Sequence, residues 1–276
     1  MRNGTADRFY NYLTEVKMNI VNDQKVILIV TDGMDPAAIE HVPKAKEFMK
    51  DCAYALDAKT VIPAITMPCH VSLFKSVDPE KHGCFDNYDP GYYNKVKAMT
   101  DIFHRRDRRS AMFYTWGELR DLAKPGSMAY DCFVSGYYNG IEKATKELTD
   151  KAIDYLNNNF TSFTFFHHDL IDSHGHGFGW MSEKYIEACN FVWDEIYRLV
   201  DAAADENTTV IIVSDHSGHD HDHCDERDVT IPLMIRGKDF KAGTVLKDVS
   251  IKDVAPTILK ILDLVPDEAW EGKALY

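Results

Sequence analysis

One pattern constrains this chain more than any other. Three short runs of β-branched, aromatic and other apolar residues, far apart in sequence, each lead into an aspartate. VILIVT (26–31) runs into Asp32-Gly33, SFTFFHHDLI (162–171) into Asp172, and TTVIIVS (208–214) into Asp215-His216. Within them 26–31, 162–167 and 208–213 read as strands covered on both faces. Between them lie helical patterns, so the expected architecture is α/β, with a mostly parallel central sheet and helices on both faces. In open sheets of this kind, ligands bind beyond the carboxyl ends of the strands. The pattern therefore predicts three carboxylates gathered at one edge.

The rest of the chain fits that frame. SAMFYT (110–115) and TIPLMI (230–235) read as further strands. Residues 141–158 and 182–204 have the periodicity and composition of long helices. Residues 36–51 read as a helix with proline at its start, and 254–264 as a closing helix. Residues 78–100 are rich in Pro, Gly, Tyr and Asn and read as a loop region near the site. We expect one catalytic domain over 1–276, with 78–140 contributing a small cap or pocket loops.

Charge and cysteine usage narrow the function. The formal net charge is −13 over 276 residues. Such a surface repels polyanions, which argues against a nucleic-acid polymer as partner. A small phosphorylated substrate remains compatible, because bound metal ions can reverse the local field. No stretch approaches the roughly 18 apolar residues of a membrane span. The first twenty residues lack the apolar centre of a secretory leader, so the expected location is the cytoplasm. Six cysteines are scattered with no CxxC pair and read as reduced thiols.

Eight of the twelve histidines fall between His167 and His223. Taken singly, each acidic or histidine residue has an ordinary explanation: a helix cap, a surface pair, a core histidine. Together they do not. Three carboxylates brought close repel one another and raise one another's pKa, and divalent cations remove that repulsion. His176 beside Asp172, and His216 beside Asp215, point to zinc or a similar borderline metal over magnesium alone. Thr66 precedes Pro68 at the start of an amphipathic segment. That places it near a helix N-terminus, where free N–H groups favour an anion, although on local sequence alone a capping role is the more ordinary reading.

These blocks, in this order, resemble the type I phosphodiesterase/nucleotide pyrophosphatase branch of the alkaline phosphatase superfamily. Thr31-Asp32-Gly33 is similar to that family's first metal-binding aspartate. Thr66-Met67-Pro68-Cys69-His70 followed by DPEKHG resembles its nucleophile segment. Asp172-Ser173-His174-Gly175-His176 resembles its D-x-x-G-H element, and Ser214-Asp215-His216 its S-D-H-G element. The resemblance implies an alkaline-phosphatase-like fold with a minimal cap, and two divalent ions, Zn2+ with Mn2+ as the alternative. Asp172, His176 and His223 would hold one ion; Asp32, Asp215, His216 and the Thr66 oxygen the other. His219 is the alternative to His223, and His221 also competes. Thr66 would attack phosphorus and form a phospho-threonine.

The chain departs from the family in two places. Cys69 stands where the family has an asparagine, and a thiol is a weak donor; Asn87 or backbone near Cys69 is the expected substitute. Ser217 replaces the glycine after S-D-H. Trp116 and Tyr88, Tyr92, Tyr93 and Tyr114 are candidates to stack on a base or pack a lipid-like group, and His167, His168 and His174 are expected to support or pack. The activity implied is phosphoric ester hydrolysis, leaning to diesters or nucleotide-like substrates. The alternatives are a phosphomonoesterase, phosphomutase or phosphonate hydrolase of the same superfamily, or a non-enzymatic metal-binding protein. A sulfatase is disfavoured, because 66–70 lacks the Cys or Ser and the Arg of that group's motif.

Overall fold

A computed structural model describes residues 23–88 and 96–276. Seven strands form one sheet: β1 (Lys25–Thr31), β2 (Ala53–Lys59), β3 (Ser110–Tyr114), β4 (Tyr130–Phe133), β5 (Phe163–His168), β6 (Thr208–Val213) and β7 (Thr230–Arg236), in the order β2-β7-β6-β1-β5-β3-β4. β7 runs against both its neighbours, and the pairings from β6 through β1, β5 and β3 to β4 are parallel. The longer helices are α1 (Pro43–Lys50), α2 (Thr66–Lys75), α3 (Met99–Arg105), α4 (Ile141–Asn158), α5 (Leu170–Phe178), α6 (Glu183–Ala203) and α7 (Val254–Ile261).

The central strand shows why the run 26–31 is apolar throughout. Val26, Leu28 and Val30 pack into one core with residues of α2, α3 and α7. Ile27 and Ile29 pack into the other, with α1, α4 and α6. Fully burying such a side chain contributes roughly 1.5–3 kcal/mol, so both faces of β1 are held. Register then fixes what emerges at its end. Thr31 lies opposite His168 of β5, and Val30 opposite Val213 of β6. The next residues, Asp32, Asp169 and Ser214-Asp215, leave the sheet side by side.

Several expected bounds shift. Residues 36–51 are not one helix: a 3-10 turn over Pro36–His41 ends at Val42, whose backbone is extended (φ −119°, ψ 91°), and α1 begins afresh at Pro43. A proline disfavours helical geometry in the residue before it, which is why the break falls there. The closing helix ends at Ile261 instead of 264, and Asp263 turns the chain with a left-handed backbone (φ 54°). Two edge strands carry no strong sequence signal. β2 (AYALDAK) is small and mixed, and β4 (YDCF) is four residues long. Of the loop region 78–100, residues 89–95 lie outside the described ones, and Tyr92 and Tyr93 with them; α3 begins at Met99. All six cysteines are free thiols.

Candidate metal and active site

Beyond the carboxyl ends of β1, β5 and β6, the structure brings two groups of residues together. Asp32, Asp215 and His216 form one, fully buried; Asp172, His176 and His223 form the other. Within each group the ligand-capable atoms all lie within 4.8 Å of one another. The groups share a wall, because the His216 and His223 rings stack with centroids 3.7 Å apart.

The histidines are aimed in a way that discloses their chemistry. His216 donates Nδ1–H to the Ser217 carbonyl (2.8 Å), His176 to the His221 carbonyl (2.9 Å) and His223 to the Ala64 carbonyl (2.7 Å). Each ring, in its neutral form, therefore turns an Nε2 lone pair inward. His216 Nε2 lies 3.3 Å from Asp32 Oδ1 and 3.5 Å from Asp215 Oδ2. His176 Nε2 lies 3.5 Å from Asp172 Oδ2, and His223 Nε2 3.6 Å from Asp172 Oδ1. Asp32 Oδ1, Asp172 Oδ1 and Asp215 Oδ2 are buried with no hydrogen-bond partner. Lone pairs facing lone pairs, with orphaned carboxylate oxygens between them, fit a divalent cation in each group.

Ionisation tells the same story. Burial would lower His216, but Asp215, Asp32 and Asp172 outweigh it and push it up to about 10. Burial, joined by His216, pushes His223 down to about 4, so that ring stays neutral at pH 7. Burial and the neighbouring Asp32 raise Asp172 well above the usual carboxylate range. Burial opposes ionisation of Asp32 too, yet hydrogen bonds from His167 and His216 hold it well below that range. The proton drawn to His216 and the raised Asp172 are both responses to crowded carboxylates, a crowding that a divalent cation would relieve.

Thr66 opens α2, its Oγ1 3.3 Å from His216 Nε2. The carbonyl of Thr66 accepts from His70 Nδ1 at 2.8 Å, and His70 is itself fully buried against Asp215. Asn87 Oδ1 accepts the Met67 N–H at 3.0 Å, which fixes that amide beside the head of α2 and leaves its NH2 group as a donor. Cys69 is fully buried, its Sγ 3.8 Å from the Pro63 carbonyl. His219 is placed apart from Asp172: its Nδ1 bonds Asp228 Oδ1 at 2.7 Å. His221 braces His176, donating Nδ1–H to the His176 carbonyl at 3.0 Å. Trp116 lies at the mouth of a neighbouring cleft. Tyr114 is buried, its hydroxyl on Asp131, and does not face solvent.

Two supporting residues, His70 and Trp180, escaped the sequence reading, and a third, His167, was expected to support without a partner being named. His70 carried no role beyond its place in a motif. His167, expected only to support or pack, donates to Asp32 Oδ2 at 2.9 Å and so leaves Oδ1 as the free oxygen. Trp180 fastens three of the motif segments at once. Its indole N–H donates to the Gly33 carbonyl, and its ring fills the space where a Cβ at Gly175 or Gly218 would sit, at 2.6 and 2.2 Å. The glycines of the motifs were the available signal, since close backbone approach is what glycine permits. Gly33 also has a left-handed backbone (φ 71°), and a Cβ there would stand 3.0 Å from Asp172.

The family model for type I phosphodiesterase/nucleotide pyrophosphatase matches residues 26–252, most of the chain and every residue of both groups. This chain belongs to that family. Murine ectonucleotide pyrophosphatase/phosphodiesterase 5, solved with AMP, superposes with a TM-score of 0.77 at 13% identity, covering 91% of this chain and 97% of that one. A 2-O GAG sulfatase superposes at 0.73 with 12% identity, covering 91% and 73%. Such likeness shows the shared alkaline-phosphatase-like fold. Among curated proteins, 2,3-bisphosphoglycerate-independent phosphoglycerate mutases match: one from Antithamnion sp. is 30% identical over 169 residues, and one from Clostridioides difficile 27% over 145. The family member spans under a third of those mutases' length (31% and 28%) and matches them over 58% and 49% of its own. Family and relatives are phosphoryl-transfer enzymes. Among the described residues no helix is long and apolar enough to cross a membrane.

Proposed function

We propose that this family member hydrolyses phosphoric esters, with Thr66 as nucleophile and two divalent ions, Zn2+ in preference to Mn2+. Asp172, His176 and His223 would hold one ion, and Asp32, Asp215, His216 and Thr66 Oγ1 the other. Bound there, the ions supply the positive charge that makes a threonine hydroxyl acidic and offsets charge on the transferring phosphoryl group. The observation that carries this reading is the inward-facing lone pair of neutral His223 opposite the unpartnered Asp172 Oδ1.

The chain's own groups arrange the rest. Thr66 Oγ1 loses its proton and attacks phosphorus, the P–O bond to the leaving alcohol breaks and that oxygen takes up a proton; a monoester leaves a phospho-threonine, and a diester leaves a threonyl phosphodiester that keeps the second organic group. Water then hydrolyses it and frees phosphate or a phosphomonoester. His70 fixes the backbone of the nucleophile through the Thr66 carbonyl. The N-terminus of α2 turns its positive dipole end toward the phosphoryl oxygens, although the Met67 N–H is taken by Asn87 and residue 68 is proline. The Asn87 amide, anchored on Met67, supplies a donor where Cys69 cannot. The substrate is a small phosphate ester, with a diester or nucleotide-like compound preferred.

The mutase relatives favour one second reading, intramolecular phosphoryl transfer. A product assay separates the two, since a mutase releases no free phosphate. The test of the main reading is a panel of phosphate mono- and diesters given to protein reconstituted with zinc or manganese. Cleavage of at least one, with release of phosphate or a phosphomonoester, is expected; failure on all of them contradicts the reading.

A further inference from the structure

The edge of the sheet opposite the two groups carries a charge pattern that the composition does not foreshadow. Residues 104–109 read His-Arg-Arg-Asp-Arg-Arg, so four of the ten arginines of a chain with net charge −13 fall within five positions. The run joins α3 to β3, and His104, Arg105, Arg106 and Arg109 are exposed. Arginines elsewhere among the described residues are matched. Arg120 pairs with Asp121, Arg198 with Asp150 and Glu195, and Arg227 with Asp225, while Arg236 lies over the Phe48 ring. Among the described residues Arg105, Arg106 and Arg109 pair with no carboxylate; Asp267 feels the Arg105 charge but is bonded to Lys97. The ordinary reason for cations in such a place is the negative C-terminal end of a helix, at about 0.3–1 kcal/mol each. Here the backbone of the turn already takes the last carbonyls of α3. The Arg106 N–H reaches the Ile102 and Phe103 carbonyls at 3.1 Å, the Asp107 N–H the His104 carbonyl at 3.3 Å, and the Arg108 N–H the Phe103 carbonyl at 2.9 Å. Asp107, with a left-handed backbone (φ 53°), closes that turn. Arg108 caps a different helix, its Nη2 donating to the Leu262 carbonyl beyond α7 at 3.2 Å.

The turn borders a cavity of about 260 Å³. His104, Asp107, Arg108 and Arg109 form one wall, and residues 126–129, which lead into β4, form the other. Its charged lining is two guanidiniums against one carboxylate, Asp107, with the His104 imidazole beside them. It lies at the amino end of β3, whose five residues separate it by roughly 15 Å from the edge that holds the ligand groups. We propose that this cavity is a second anion site, separate from the metal groups, and that it takes the phosphate group of a small soluble ligand. A planar guanidinium presents paired N–H donors that match two oxygens of a phosphate. Arg109 and His104 supply donors, Arg108 adds charge to the wall, and Arg105 and Arg106 strengthen the local field. The space admits a phosphate with a few attached atoms and no helix or strand. An anionic bilayer or an extended acidic chain meets repulsion from the rest of a surface with net charge −13, whereas a small ligand meets chiefly the local charge. The site depends neither on Thr66 nor on the ions.

The test treats the zinc-loaded full chain with phenylglyoxal, which modifies accessible guanidiniums, with and without inorganic phosphate, and reads each arginine by peptide mass spectrometry. At ten times its dissociation constant, phosphate is expected to slow modification of Arg109 about tenfold. Arg198 and Arg227 should react as before, and sodium chloride at the same ionic strength should protect none of the three. Calorimetric titration with inorganic phosphate is expected to contain one binding step that weakens about tenfold or more in Arg109→Gln with His104→Gln. Both side chains are exposed, so the fold should tolerate the exchange. That step should persist in Thr66→Ala, which separates it from phosphate held at the proposed nucleophile. Absence of protection, equal protection of Arg109 and Arg227, or an unchanged titration in the double variant overturns the proposal. Protection by an oligoglutamate peptide, or by phosphatidylcholine vesicles carrying a phosphatidylinositol phosphate, where inorganic phosphate gives none, overturns it as well and makes the turn a macromolecular contact.

Discussion

At the scale of single residues, the site depends on histidines that never face the substrate. His167 holds one oxygen of Asp32 and leaves the other for a cation. Removing such a partner typically costs 10–100-fold in metal affinity. His167→Ala should therefore weaken zinc binding by about that factor in a competition titration, with partial recovery in His167→Gln, whose amide N–H can replace the donor. Unchanged affinity would refute the role. His82 makes a different prediction. It accepts the Cys84 N–H on Nδ1 and meets Ser72 Oγ with Nε2. Burial, helped by the nearby Lys75 ammonium, pushes it down to about 4. The folded value lies below the unfolded one, so the unfolded chain takes up the proton first. Stability is unaffected by this group above about 6.5 and falls as pH drops from there to about 4, by roughly 3 kcal/mol in all. Urea titrations of wild type and His82→Gln across that range should differ in slope; parallel curves would contradict the assignment. Neither role was legible in the sequence, because it depends on which ring nitrogen finds which partner across 135 residues in one case and in a tight local turn in the other.

At the scale of elements, what was legible is what periodicity encodes. β1, β5 and β6 are apolar at nearly every position because helices cover both faces, and their ends fell within a residue of expectation. α4 and α6 are amphipathic over five turns or so and were read at nearly their full length. β2 and β4 escaped because edge strands need few apolar residues, and the break at Pro43 escaped because helical periodicity continues across it. The loops that carry ligands depend on Trp180, which ties the Gly33 turn, α5 and the segment after β6 into one unit. Trp180→Ala should cost about 3–5 kcal/mol, and also loosen the groups at both ends of the tie. Gly218→Ala, which would drive a Cβ into the ring at 2.2 Å, should lower the melting temperature while leaving the rest of the sheet's hydrogen exchange unchanged. A melting temperature equal to wild type would show that the tie does not bear on these loops.

At the scale of the whole molecule, a net charge of −13 surrounds a buried nest of carboxylates. Cations that bind the folded chain alone stabilise it by mass action, about 2.7 kcal/mol for each site at a hundredfold excess over its dissociation constant. Stripping the protein with a chelator should therefore lower its melting temperature, and two equivalents of zinc should restore it; restoration by one equivalent, or a continuous rise with no plateau, would argue for a different site. Asp32, Asp172 and Asp215 were expected together from strand ends, with His176 and His216 from their neighbourhood and from the family resemblance, and the structure gathers all five into the two groups. Among His219, His221 and His223, spacing within the resemblance favoured His223, and the folding of the histidine-rich turn places that ring with Asp172 and His176. The central claim is that Thr66 carries the phosphoryl group. The most direct measurement is mass spectrometry of zinc-loaded protein quenched in acid during turnover of a cleaved ester. The account predicts one phosphoryl group on the peptide containing Thr66, absent from Thr66→Ala, which should retain its two zinc ions and lose turnover. Full turnover by Thr66→Ala, or a phosphoryl group on any other residue, would contradict it.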